Sequence, residues 1–308
     1  MRAVCIVGPT ASGKTGCALA LARALGGEIL SCDSVAVYRG LDIGAAKPSP
    51  LERQLVPHHL IDVAAPDQPF SAAQWAQLAD AAAAEVAARG RPIVVAGGTG
   101  LYLRAWLRGL VETPSPDAAV RSRHRAQPVE ALFAQLARVD PASAARIAPG
   151  DKVRVSRALE IYEQTGLTMT ELLRRQSVGA PRIEALLVGL APTRAELYSR
   201  IDARVEAMMA RGLLAEVRAL VEKYGEGARA LRSLGYAQLR DHLRGQVALP
   251  EAVERIKRAS RQLARRQLTW FRSEPGVIWY PSPPADLSER AARFLEEGFA
   301  SAHGPGNG

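Results

Sequence analysis

The residues best equipped for chemistry begin at the eighth position. Gly8-Pro9-Thr10-Ala11-Ser12-Gly13-Lys14-Thr15 fits the spacing G-x-x-x-x-G-K-[ST], a cradle for phosphate. Its glycines let backbone N–H groups face an anion, and the N-terminus of a following helix favours negative charge. Lys14 adds a cation, and the Thr15 hydroxyl can hold magnesium. Such a loop recognises a pyrophosphate group, which many phosphorylated molecules share, so it does not name the substrate. Arg91–Ala96 runs into Gly97-Gly98-Thr99-Gly100 where an ATPase commonly places an acidic metal ligand, and no guanine-reading N-K-x-D occurs. Nucleotide hydrolysis therefore loses ground.

A second chemically capable residue follows the apolar run Glu28–Cys32. If that run is a strand of a parallel sheet, Asp33 emerges at the edge that carries the phosphate loop. Beside a pyrophosphate its carboxylate could accept a proton from an attacking amine or hydroxyl. The bland alternative is a carboxylate that caps the next turn through Ser34.

These groups need a frame. Ala3–Val7 reads as a strand that breaks into the Gly-rich turn, and Gly13–Leu25 as a helix ending at Gly26-Gly27. Glu28–Cys32 and Arg91–Ala96 read as further strands, with Ser71–Arg89 an Ala-rich helix between them. Alternation of this kind predicts an α/β fold: a P-loop NTPase-like parallel sheet flanked by helices, with ligands beyond the carboxyl ends of the strands. Thr113-Pro114-Ser115-Pro116 breaks the pattern, and the following seventy or so residues hold helical segments only. Ala185–Leu190 restores a strand, and Arg194–Val221 reads as one long helix. The expected domains are a discontinuous core, 1–113 and 185–308, and an inserted all-helical domain, 114–184. The tail Ser301–Gly308 reads as disordered.

The 308 residues are 48% hydrophobic, enough for a substantial core, so a disordered or fibrous chain is excluded. No stretch has the length and apolarity of a membrane span, and a cytoplasmic protein is expected. Cys5, Cys17 and Cys32 are odd in number and lack a C-x-x-C spacing, so they read as reduced packing residues. His58 and His59 are adjacent and diverge, which argues against a metal pair. The net charge of +9 favours a polyanionic partner. Between Glu251 and Arg272 the chain carries Arg255, Lys257, Arg258, Arg261, Arg265, Arg266 and Arg272 against Glu251 and Glu254. Arg258, Arg261 and Arg265 recur at helical spacing as a positive stripe, with Ile256, Leu263, Leu268 and Phe271 turned inward.

Asp33-Ser34-Val35-Ala36-Val37-Tyr38-Arg39-Gly40-Leu41-Asp42-Ile43-Gly44-Ala45-Ala46-Lys47-Pro48 resembles the second motif of bacterial tRNA dimethylallyltransferases. Pro57–Asp62, Gly97–Leu103, Arg154–Glu160 and Gln262–Arg272 are similar to further signatures of that family, in the family's order. The resemblance spans most of residues 1–275. It implies a P-loop fold related to nucleoside-phosphate kinases, with an inserted helical domain that grips the anticodon stem-loop of tRNA. It also implies a reaction: the exocyclic amine of the adenine 3′ of the anticodon attacks dimethylallyl diphosphate, pyrophosphate leaves, and Mg2+ neutralises it.

Carried over residue by residue, the resemblance gives Gly8 and Thr10–Thr15 (Thr10, Ala11, Ser12, Gly13, Lys14, Thr15) the diphosphate, with Thr15 at the metal. Asp33 becomes the proton acceptor, Thr99 helps place the adenine, and Arg204, one turn after Arg200, reaches the pyrophosphate. The tRNA-contacting positions are Asp33, Ser34, Val35, Ala36, Thr99, Arg121, Val153, Arg154, Val155, Ser156, Arg157, Arg232, Ser233, Leu234, Gly235, Tyr236 and Ala237. Many members have Gln at the place of Ala36, and Gly150 replaces a common Asn. A monomer is expected. Two other readings compete: a kinase moving phosphate from ATP to a small acceptor, and an RNA-binding module without chemistry, which leaves Asp33 beside the phosphate loop without a use.

Overall fold

The computed structural model describes residues 1–111, 113–176 and 181–298, so the expectation for Ser301–Gly308 lies outside the described residues. In chain order the first elements are β1 (Arg2–Val7), α1 (Lys14–Leu25), β2 (Glu28–Cys32), α2 (Pro50–Leu55), β3 (His58–His59), α3 (Ala72–Ala88), β4 (Ile93–Gly97) and α4 (Gly100–Arg108). Five helices follow: α5 (Ala118–Ala126), α6 (Val129–Val139), α7 (Pro141–Ala144), α8 (Lys152–Thr165) and α9 (Met169–Gln176). The chain then forms β5 (Glu184–Leu190), α10 (Arg194–Ala210), α11 (Leu213–Tyr224), a 3-10 turn at Arg229–Arg232, α12 (Tyr236–Leu243), α13 (Leu249–Arg272), β6 (Val277–Tyr280) and α14 (Leu287–Glu297). Two compact units result, Met1–Leu107 with Ile183–Gly308, and Arg108–Arg182.

The first unit is built on one parallel sheet in the order β3-β2-β4-β1-β5-β6. Successive residues of a strand face opposite sides, and both sides are buried. Ala3, Cys5 and Val7 of β1 enter one apolar cluster together with Trp75, Trp106 and Phe271, while Val4 and Ile6 enter another with Leu21 and Phe294. That is why the strands read as unbroken apolar runs. The register aligns the ends that matter. Cys32 of β2 lies opposite Gly97 of β4, and Gly97 opposite Val7 of β1, so Asp33, Gly98 and Gly8 leave the sheet abreast at its carboxyl edge.

Ser71, expected as the first residue of the helix, instead caps α3, accepting the Gln74 N–H in a reciprocal capping box. The single long helix expected over Arg194–Val221 is instead α10 and α11. Gly212, at φ 95°, turns the chain into the left-handed region and caps the second helix. Its flanking apolar periodicity hides the break. Strands β3 and β6, two and four residues long, were not expected. On β3 the His58 ring meets the Val56 carbonyl at 2.8 Å, and His59 meets Glu28 at 2.6 Å.

The second unit is all helical among its described residues. Leu132 and Leu136 of α6 pack on Val155, Ala158 and Leu159 of α8. Glu160, fully buried, ties α5 to α8: it accepts the Asp117 N–H at 2.7 Å, Arg121 at 3.1 Å and Arg157 at 2.8 Å. Burial opposes its charge, but the Arg157 bond, the Asp117 N–H and the two guanidiniums together hold its carboxyl below the usual range. The unit begins and ends at Arg108 and Arg182 rather than at 114 and 184.

Candidate active site

The phosphate loop is shaped by backbone conformations that few residues tolerate. Gly8 has φ 146°, and a Cβ there would lie 2.5 Å from the Leu190 carbonyl oxygen, so only glycine lets β1 leave the sheet here. Ala11 also adopts a positive φ, 63°, an uncommon conformation held by the surrounding loop. Gly13 caps α1 without a side-chain bond, which leaves the first N–H groups of the helix unoccupied by protein. Lys14 lies in that first turn, its ammonium donating to the Pro9 carbonyl at 3.0 Å.

Lys14 is half-buried and pulled down to about 8. Burial is the main cause, the neighbouring Arg204 guanidinium adds to it, and the Asp33 carboxylate opposes both. Arg204 is itself lowered by burial and partly restored by Asp33. Two cations and one carboxylate thus share a poorly hydrated space. One more anion there would relieve the repulsion between the cations, and a phosphate group could supply it.

Asp33 caps the turn that follows it, through Val35 and Ala36 rather than Ser34. Its Oδ1 accepts the N–H groups of Val35 at 2.7 Å and Ala36 at 3.2 Å, an Asx turn that fixes the carboxylate. Its side chain nevertheless lines two adjoining clefts of the first unit, and Thr10 and Arg204 line both with it. One cleft is the more polar of the two, with Lys14, Thr15 and Gln267. The other is apolar, walled by Val35, Ile201, Val205, Met208 and Ile256.

The remaining expected residues fall into three groups. Thr99 lines neither cleft; its hydroxyl accepts the Ser34 N–H at 3.0 Å and so braces the turn that carries Asp33. Ser34 is exposed, and Ala36 lines the polar cleft. Leu234 and Gly235 line the apolar cleft, Arg232 is exposed, and Ser233 and Ala237 are half-buried. Tyr236 is fully buried and donates its hydroxyl to Glu216 at 2.7 Å, so its side chain offers no surface to a base. In the second unit Val153 and Arg154 are exposed and Ser156 is half-buried, while Val155 packs in the core and Arg121 and Arg157 hold Glu160.

The positive stripe of α13 is thinner than its composition promises. Arg261 pairs with Asp202 at 3.1 Å, Lys257 with Glu206 at 2.6 Å and Glu254 at 2.7 Å, and Arg255 with Glu251 at 2.6 Å. Arg258, Arg265, Arg266 and Arg272 remain exposed.

Two functional side chains escaped the sequence reading. Glu216 accepts the N–H groups of Asp42, Ile43 and Gly44 at 3.0, 2.7 and 3.1 Å and holds the loop whose Gly44 and Ala45 line the apolar cleft. Nothing in the sequence marks it. Gln267 accepts the Thr10 N–H at 2.8 Å and donates to the Gly98 carbonyl at 2.9 Å. A signal for it exists: Ile256, Ser260 and Ala264 define the buried face of α13, and Gln267 continues that face as a polar residue.

Thr15, exposed in the first turn of α1, carries the hydroxyl that could hold a cation at this loop. Among the described residues no group of three His, Cys, Asp or Glu could hold a metal ion. A single hydroxyl fits a hard divalent ion that takes its other ligands from diphosphate oxygens and water.

The family model described as IPP transferase matches residues 36–274. A tRNA dimethylallyltransferase of Anaeromyxobacter dehalogenans is 52% identical over 96% of this chain and 100% of its own. A protein named tRNA dimethylallyltransferase 2, of Geotalea daltonii, is 44% identical over 97% and 94%. Among solved structures, the full-length tRNA isopentenylpyrophosphate transferase of Bacillus halodurans has a TM-score of 0.71 at 36% identity, covering 98% of this chain and 99% of that one. A eukaryotic dimethylallyltransferase acting on tRNA shares the fold, with a TM-score of 0.80 at 24% identity over 98% of this chain and 80% of that one.

Proposed function

The chain belongs to the IPP transferase family, the tRNA dimethylallyltransferases, and from that membership we propose how its first unit carries out prenyl transfer. The enzyme moves a dimethylallyl group from dimethylallyl diphosphate to a tRNA adenine. The acceptor is the N6 amine of the adenine 3′ of the anticodon, and pyrophosphate is the other product. Neither kinase chemistry nor a silent binding module accounts for this membership.

One observation carries the reading: Thr10, Asp33 and Arg204 are common to a polar cleft on the phosphate loop and an adjoining apolar one. The diphosphate lies against Gly8 and Thr10–Thr15 and takes charge-assisted bonds from Lys14 and Arg204. The allylic tail enters the apolar cleft. Asp33, held by its Asx turn, receives the proton that the adenine amine loses as its nitrogen bonds to the allylic carbon and the carbon–oxygen bond to pyrophosphate breaks. Arg204 and Lys14 take up the charge that collects on the departing diphosphate. A divalent cation, Mg2+ in this reading, would be held by Thr15 and would supply further charge neutralisation to the leaving group.

The helical unit takes the anticodon stem-loop in this proposal, supported by the exposed Val153 and Arg154 beside Ser156. No helix among the described residues is long and apolar enough to cross a membrane, and we place the enzyme in the cytoplasm as a monomer. The test is to incubate the chain with magnesium, labelled dimethylallyl diphosphate and an unmodified anticodon stem-loop. Label in the RNA that disappears when the one adenine is replaced supports the reaction; consumption of ATP without RNA labelling would move the chain to the kinases.

A further inference from the structure

The attacking amine and the leaving group are held by different loops. The diphosphate loop leaves β1, Asp33 leaves β2, and Thr99 leaves β4. Transfer requires the base side and the leaving-group side to keep a fixed separation, because a displacement on the order of 1 Å can cost about 100-fold in rate. Strand register sets this separation where the loops begin. Beyond the sheet something else has to hold it.

One side chain spans the gap. Gln267 reaches from α13 between the two loops, with Oε1 on the Thr10 N–H at 2.8 Å and Nε2 on the Gly98 carbonyl at 2.9 Å. Thr10 offers only a backbone donor here and Gly98 only an acceptor, so the partners fix which way the amide faces. From Gly98 the connection runs to Thr99, whose hydroxyl accepts the Ser34 N–H at 3.0 Å, and Ser34 adjoins Asp33. The Thr99 N–H also donates to the Cys32 carbonyl at 3.2 Å. An unbroken series of bonds therefore links Thr10 to Asp33 through one carboxamide.

The surroundings are shaped for that group. A Cβ on Gly98 would stand 2.3 Å from the Gln267 Nε2, so the amide fits because residue 98 has no side chain. A carboxylate at 267 would lose the donor to Gly98 and bring negative charge to an anion loop. A lysine or arginine would have no acceptor for Thr10.

We propose that Gln267 is a positioning residue that sets the separation of the diphosphate loop from the proton acceptor, so that its loss reduces transfer and not the binding of either substrate. The proposal rests on the reaction given above. Each loop keeps its own ligand groups without Gln267; what changes is where one loop sits relative to the other.

The experiment compares Gln267→Ala, Gly98→Ala and the double variant with the unaltered chain. It measures pyrophosphate binding, stem-loop binding and single-turnover transfer, with thermal melting of each protein alongside. Gln267→Ala should bind both ligands within about threefold of the unaltered chain and transfer roughly 10- to 100-fold more slowly. Gly98→Ala, which pushes the amide aside and keeps Gln267, should lose a similar factor. The double variant should be no slower than Gln267→Ala alone, because the added methyl then has no amide to displace. A general loss of packing would not give that non-additivity, and Gly98→Ala keeps the test open if Gln267→Ala melts early. Unaltered transfer in Gln267→Ala, weakened binding that accounts for the whole loss, or multiplying losses in the double variant would overturn the proposal. An unaltered chain that labels no RNA would sink the reaction itself, a separate result read from the same control.

Discussion

Lys14 is where the chemistry of single residues is most exposed to measurement. Burial pulls its ammonium down to about 8, and a diphosphate binds the protonated form. Affinity for the anion is thus complete below that pH and declines as pH rises through it. We expect kcat/KM for dimethylallyl diphosphate to fall above about pH 8 and Lys14→Arg, charged throughout, to lack this limb of the profile. Asp33→Ala should reduce the single-turnover rate by about 10²- to 10⁴-fold while a filter-binding assay finds stem-loop affinity little changed. Full turnover in that variant would remove Asp33 from the role of base. The residue scale also explains what the sequence could convey. The spacing of Gly8, Gly13, Lys14 and Thr15 carries its own mechanism, and Asp33 was legible because a strand ends just before it. Glu216 and Gln267 were not legible in the same way. Their partners are backbone groups 172 to 174 positions away for Glu216, and 169 and 257 away for Gln267; the buried face of α13 marks residue 267 as a polar exception, but no local pattern names what either side chain meets.

At the scale of elements, the close pairing of β2 and β4 depends on one missing methyl. A Cβ on Gly97 would lie 1.9 Å from the Cys32 carbonyl oxygen, and strand backbone cannot yield as a flexible side chain does. Gly97→Ala should destabilise the first unit by about 2–3 kcal/mol or more in urea unfolding and displace Asp33 with Cys32. Tyr236→Phe probes another junction. The hydroxyl is one of four donors to Glu216, so its removal should cost about 1–2 kcal/mol, read from the same unfolding curves, with the salt dependence of RNA binding unchanged. A shift in that dependence would return Tyr236 to the RNA interface. Elements were readable in proportion to length and burial: β2 and α1 were placed by apolar runs and flanking glycines. The break at Gly212 and the two short strands were missed, because two to four residues cannot display a period.

Across the whole molecule, the charge of +9 is distributed unequally between groups that are free to meet an anion and groups already paired. Arg121, Arg157 and Arg261 each hold a carboxylate, whereas Arg154, although 3.4 Å from the Asp151 carboxylate, keeps 68% of its side chain exposed. If Arg154 meets an RNA phosphate, Arg154→Ala should weaken stem-loop binding and lower the slope of log affinity against log salt by about 0.7 to 0.9. An unchanged slope would place the phosphate contacts elsewhere. Net charge foretold a polyanion but not which arginines face it, because pairing is a property of the folded surface.

The cysteines add one consequence at this scale. All three thiols belong to the sheet unit, and each is buried: Cys17 is pushed up to about 11, and burial pushes Cys5 and Cys32 up as well. Alkylating reagents need a thiolate they can reach, so in the native chain they must wait for the sheet to open. The helical unit has no cysteine and is silent in such an experiment. The unaltered protein therefore carries its own clock for the opening of one unit alone. A cysteine introduced at the exposed Val153 would add a fast-reacting handle on the other without any native thiol having to be removed.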